Sequence, residues 1–231
     1  MERSMQISVI LVLFLAGCAA VPVPKMEQTD ASGIAISVKV KAPPFGFPTE
    51  SAVKVFFARI DGSGSIQQSE VIPSNYNKDG RVYLLNATPG EYVAVAASLP
   101  RQSASPGPAA PGLSVTVTLT KQNITFFQKE VVDQIRVSVG KAQMVCAGDY
   151  ILSASLLGER DAIQRHYETV ILGLDEPLTT AEIVMRGGGW GKSASWRGML
   201  HEAKNGDDAK SDCFRKAKED LAEGGWHMLI K

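Results

Sequence analysis

The sequence predicts a mainly β protein with α: an antiparallel β-sandwich with a C-terminal helical element packed on it. Three observations lead there. Short extended runs recur at close spacing from residue 33 to 172, divided by Gly, Pro, Asn and Asp. Several of them alternate apolar with small or polar residues, the period of a half-buried strand. Past residue 178 the apolar period changes to four and glycine runs bound the segments, which is helix punctuation.

The elements follow in order. Ile34, Ile36, Val38 and Val40 alternate until residues 43–48, Pro-Pro-Phe-Gly-Phe-Pro, stop the strand. Ala52 to Ala58 is β-branched and aromatic, and Asp61-Gly62-Ser63-Gly64 supplies a turn. Asn77-Lys78-Asp79-Gly80 turns into Val82-Tyr83-Leu84-Leu85, and Pro89-Gly90 suits a type II turn before Tyr92, Val93 and Val95. Residues 100–112 read as a surface loop, and Val115, Val117 and Leu119 alternate with threonines as a clean amphipathic strand. Residues 124–127, 135–139, 144–146, 150–157 and 166–172 read as extended. Thr179-Thr180-Ala181-Glu182 has capping-box spacing, and residues 193–204 have helical composition up to Asn205-Gly206. Ala209, Cys213, Ala217 and Leu221 form one apolar helical stripe, with Asp212, Lys216 and Asp220 in an adjacent row of alternating charge. Gly224-Gly225 ends it.

Ahead of the sandwich, residues 1–6 are polar with one arginine and residues 7–15 are almost wholly apolar apart from Ser8. Charged start, short apolar core and small-residue site together read as an export signal. The run is shorter than the ~20 residues a membrane-spanning helix needs. Leu15-Ala16-Gly17-Cys18 resembles the lipobox of bacterial lipoproteins. The resemblance implies that residues 1–17 are a lipoprotein signal peptide, removed when Cys18 is acylated and becomes the new N-terminus. A diacylglyceryl group and an amide-linked chain would then hold the protein in a cell membrane or outer membrane, since stable anchoring takes more than one chain. By family analogy Ala19 favours the outer membrane. Residues 18–32 read as lipidated cysteine and extended spacer, 33–177 as the sandwich and 178–231 as the helical region. Val53-Lys54-Val55-Phe56-Phe57, followed by Asn86-Ala87-Thr88-Pro89-Gly90-Glu91-Tyr92-Val93-Ala94-Val95, resembles small transthyretin-like or carboxypeptidase-regulatory-like (Ig-like) sandwich domains. That resemblance implies a fold and transfers no catalytic residue.

Composition narrows the function. Apolar residues are 45% of the chain, and Lys+Arg and Asp+Glu each number 24. Nothing basic is in excess to hold nucleic acid, so the expected contacts are the membrane, through the lipid, and other envelope or host proteins. With Cys18 modified, Cys146 and Cys213 are either a disulfide or two buried thiols. Two thiols are the simpler expectation, because sequence gives no distance between them.

No motif carries chemistry outright. Gly188-Gly189-Trp190-Gly191-Lys192-Ser193 looks like a phosphate loop, but Arg186 stands where its first glycine is required. Asn75-x-Asn77-x-Asp79-Gly80 echoes a calcium loop, yet Asn86 replaces the bidentate glutamate, and a turn explains the same residues. His166, His201 and His227 have no metal-ligand spacing and no Gly-x-Ser-x-Gly elbow accompanies them. The Asn86 and Asn123 glycosylation triplets mean little in a bacterial setting. No cofactor, metal or catalytic residue is therefore expected. Trp190, Trp196 and Trp226 would seal the helices onto the sheet or form an aromatic contact surface, and packing is the favoured reading. The expected role is a non-catalytic structural or interaction protein. The alternative is a small-ligand binder or hydrolase using a groove between sandwich and helices, with Trp190, Trp196 and His201 as first contacts.

Overall fold

The computed structural model describes residues 21–41, 49–60, 66–100, 102–103, 120–185 and 193–230. The lipobox with Cys18, the turn at Asp61-Gly62-Ser63-Gly64, most of the 100–112 loop, the strand at 115–119 and Trp190 lie outside those residues. In chain order the strands are β1 (Ser32–Lys41), β2 (Glu50–Ser51), β3 (Lys54–Ile60), β4 (Ile66–Pro73), β5 (Tyr76–Lys78) and β6 (Arg81–Ala87). Then come β7 (Gly90–Ser98), β8 (Gln102–Ser103), β9 (Thr120–Phe127), β10 (Arg136–Val139), β11 (Met144–Ser155) and β12 (Ser193–Lys204). The helices are α1 (Lys129–Gln134), α2 (Ala162–Leu172), α3 (Thr180–Met185) and α4 (Asp207–Asp220), followed by 3-10 turns at Ala222–Gly224 and Trp226–Leu229.

The protein is mainly β, built on one large mixed sheet of order β4-β3-β7-β9-β12-β11-β1-β6-β5. β1 lies inside it with the predicted alternation. Ile34, Ile36, Val38 and Val40 enter the larger core, while Ala35, on the opposite face, enters a second one. The sheet rolls back on itself. Residues 74–75 link β4 to β5, which stand at opposite ends of the strand order. Val55 N–H donates to Ser74 Oγ at 3.0 Å and Asn75 N–H to the Tyr83 carbonyl at 3.0 Å, holding the link against both ends. The larger core therefore collects Val55 and Phe57 of β3 together with the β1 residues.

The sheet departs from the expected all-antiparallel order. β1 pairs β11, and β9 pairs β12, in parallel. Alternation reports which face is buried and is blind to strand direction, and parallel pairs need long crossovers that no turn motif announces. Gly90 has φ +154, away from the type II turn value, and β6 and β7 do not pair: their connection crosses the roll.

Two assignments exchange places. Residues 166–172, expected extended, lie in α2, capped by the Asp161–Gln164 box and closed by Gly173 at φ +64. Its buried face includes Gln164 and Glu168 beside Tyr167, so polar residues mask the helical period. Residues 193–204, expected helical, form β12, inserted between β9 and β11. Pairing on both edges overrides the local helical composition. Gly198 is required there, because an added Cβ would stand 2.7 Å from Thr125 Cγ2.

α3 and α4 form where expected. Thr179 Oγ1 and Glu182 exchange the capping-box hydrogen bonds, and Cys213, Ala217 and Leu221 are buried along the α4 stripe. Cys146 and Cys213 are bonded as a disulfide, with Cα atoms 6.1 Å apart, which corrects the expectation of two thiols. The stripe of α4 seats Cys213 on the outer face of β11, at Cys146. Residues 21–31 are held to the body. Val23 and Met26 pack against the second core, and Asn86 Oδ1 accepts from Glu27 N–H while its Nδ2 donates to the Lys25 carbonyl, both at 3.0 Å.

Candidate functional site

The face between β10, β11 and α4 holds an open cavity of about 300 Å³. Alternation along β11 turns Met144 and Cys146 towards α4, and the disulfide fixes the helix at that edge. Arg136, Ser138, Gln143, Asn205 and Lys210 supply polar lining, with Phe214 as an apolar wall. Arg136 is held by Glu91 at 2.7 Å. Tyr150 turns its hydroxyl inward, donating to the Ala147 carbonyl at 2.9 Å, and burial pushes its pKa up. Among the described residues lining the cavity none is a histidine or carboxylate. Donors and cations suit a small polar or anionic group, and among the described lining residues no nucleophile stands beside a base.

Among the described residues the buried carboxylates, Asp220 and Glu168, are elsewhere, and each is partnered. Asp220 leaves the solvent row of α4 and accepts from Arg81 at 2.8 and 3.0 Å and from the Tyr83 hydroxyl. Burial opposes the Arg81 cation, but the hydrogen bonds to Asp220 and Tyr83 outweigh it and raise its pKa. Burial, then Asp220, raises that of Tyr83. Glu168 of α2 accepts from Arg160, from the Ser195 hydroxyl of β12 and from Leu178 N–H. These are struts: one holds α4 to β6, the other holds the α2–α3 region to β12. Sequence reading missed both, since Asp220 and Glu168 sit among charged neighbours that mark a solvated face.

Of the predicted site residues, only Trp196 and His201 are among the described residues. Cys18 and Trp190 lie outside the described residues. Trp196 is half-buried against the larger core, with its indole N–H buried and unpartnered. His201 is exposed on β12, and neither of these two lines the cavity. Trp226 is fully buried in the second core, the packing role favoured for the tryptophans. The calcium-like run is a turn: Asp79 and Gly80 adopt φ +48 and +78, and Asn75 is occupied by the backbone of Leu85. Among the described residues no group of three or more His, Cys, Asp or Glu is arranged to hold a metal. No helix of the described residues is long and apolar enough to cross a membrane. The chain matches no protein-family model, no curated protein and no solved structure.

Proposed function

We propose that this chain is a lipid-anchored lipoprotein of a bacterial envelope, held through Cys18 and acting without catalysis in a structural or protein-interaction role. The observation that carries the reading is Leu15-Ala16-Gly17-Cys18 directly behind a short apolar run. The Cys146–Cys213 disulfide supports it, because such bonds persist in exported, oxidising surroundings. The employment of Glu168 and Asp220 as struts supports a body built for rigidity. Within this reading the rolled sheet is a transthyretin-like or Ig-like sandwich, with β6-β1-β11 and β3-β7-β9 as its layers. The core shared by Ile36 and Phe57 supports that arrangement. Ala19 favours the outer membrane as its address. Fractionating cells that express the native chain or Cys18→Ser tests the proposal. The native chain should sediment with membranes and the variant should not; equal partitioning would defeat it.

One observation favours a second reading, a small-ligand binder: the cavity between β11 and α4, with Arg136 and Lys210 on its lining. Titrating the soluble body with small carboxylates and phosphates, and repeating with Lys210→Ala, tests it. Binding that weakens in the variant would support a ligand site, and no binding to the native body would remove it.

A further inference from the structure

We infer that the patch made by Val21, Val23, residues 224–225 and Met228 rests against the lipid bilayer, so that the body stands on its membrane in one orientation. The inference rests on the attachment through Cys18 proposed above, and goes beyond it by naming the face that meets the lipid.

The N-terminal segment is locked to the body almost up to its first described residue. Val23 lies so close to the C-terminal tail that a Cβ added to Gly224 would meet its Cγ1 at 2.6 Å. The next residue, Pro24, accepts from Trp226 Nε1–H at 2.7 Å, and Asn86 holds the backbone of Lys25 and Glu27. The chain therefore leaves the body at Val21 and Pro22. Four residues separate Cys18 from Val23, and the five steps between them, fully extended, reach at most ~18 Å. On so short a tether the body cannot turn over, and the exit point stays beside the headgroups.

The surface at that exit exposes Val21 and Met228 beside the exposed Lys25, Glu223 and His227. Val21 is 70% exposed and Met228 is 69% exposed. They belong to one neighbourhood: Val23 touches Gly224, and the Met228 methyl lies 3.9 Å from where a Cβ on Gly225 would be. Scattered exposed apolar residues are ordinary. These are not scattered, because they surround the point where the tether emerges. β11 starts at Met144, in the same core as Trp226, and ends at Ser155. A strand of that length spans about 36 Å, and the exposed Leu157 lies just past its far end.

The test uses the full acylated chain in phosphatidylethanolamine–phosphatidylglycerol vesicles, with a single fluorophore on Met228→Cys or on Leu157→Cys. Cys146 and Cys213 are bonded to each other and Cys18 is acylated, so the introduced thiol alone reacts. Both positions are solvent-exposed, and neither substitution disturbs the core. When spin-labelled lipid is added to the vesicles, the label at 228 should lose most of its emission and the label at 157 should keep it. If the chain floats with the vesicles and the 228 label keeps its emission, or both labels are quenched alike, the orientation is overturned while attachment stands. If the chain fails to float and carries no acyl mass, attachment and orientation fall together.

Discussion

The indole N–H of Trp226 donates to the Pro24 carbonyl at 2.7 Å, closing a contact across 202 residues of sequence. The segments around Pro24 and Trp226 are thereby one structural unit, with Val23, Met26 and Leu229 packed around the second core. Trp226→Ala should cost about 3–5 kcal/mol in urea unfolding, the usual range for a buried tryptophan. Trp226→Phe keeps most of the burial and should cost about 1 kcal/mol for the lost hydrogen bond. Both variants should speed tryptic cleavage after Lys25, which requires local release of the segment. Unchanged cleavage would mean the segment is held independently of the indole.

The Cys146–Cys213 bond closes a loop of 67 residues and fixes α4 to β11. Constraint of the unfolded chain by a loop of that size is worth about 4 kcal/mol on the entropic account. Cys213→Ser, or reduction of the native chain, should lower stability by an amount of that order in a denaturant titration. Thiol counting on the native acylated chain should find no free cysteine.

Glu168 is fully buried, and its charge is balanced by Arg160. Removing one partner leaves an uncompensated buried charge, so Arg160→Ala should cost about 3–5 kcal/mol. The double variant Arg160→Met/Glu168→Gln removes both charges and should recover a substantial part of that loss. A double-mutant cycle read by chemical denaturation measures the difference. Additive losses would show that the pair is not coupled.

All five tyrosines, Tyr76, Tyr83, Tyr92, Tyr150 and Tyr167, have phenol pKa values raised chiefly by burial. Tyr167 is pushed up to about 12, and its hydroxyl is buried without a partner. The folded state therefore holds phenol protons that the unfolded chain releases near its ordinary value. Their stabilisation is complete below pH 10 and drains away as pH rises towards 12 and above. Ultraviolet titration should show little phenolate until the protein unfolds, then one steep rise. Tyr167→Phe should flatten that alkaline loss. At neutral pH it should leave stability equal or up to about 1 kcal/mol higher, because no hydrogen bond is removed.

The strands and C-terminal helix were legible wherever period and burial agree. In β1 the even positions face the larger core, and in α4 the four-residue stripe is the buried one. The reading failed where polar residues take core positions, as Gln164 and Glu168 do in α2. It failed again at β12, whose composition suits a helix but whose edges are claimed by β9 and β11. Parallel pairing and the disulfide depend on which distant segments meet, and local pattern carries no such information. The residues that line the cavity beside Lys210 were unforeseen for the same reason. Its lining comes from β10, β11 and α4, which are adjacent only after folding.

Membrane attachment through Cys18 is the claim on which the proposed role stands, and intact-protein mass spectrometry tests it most directly. The membrane-extracted chain should begin at Cys18 and carry the added mass of a diacylglyceryl group and an amide-linked acyl chain, all of it lost on Cys18→Ser. A native chain that still begins at Met1, or that begins at Cys18 without acyl mass, would contradict it.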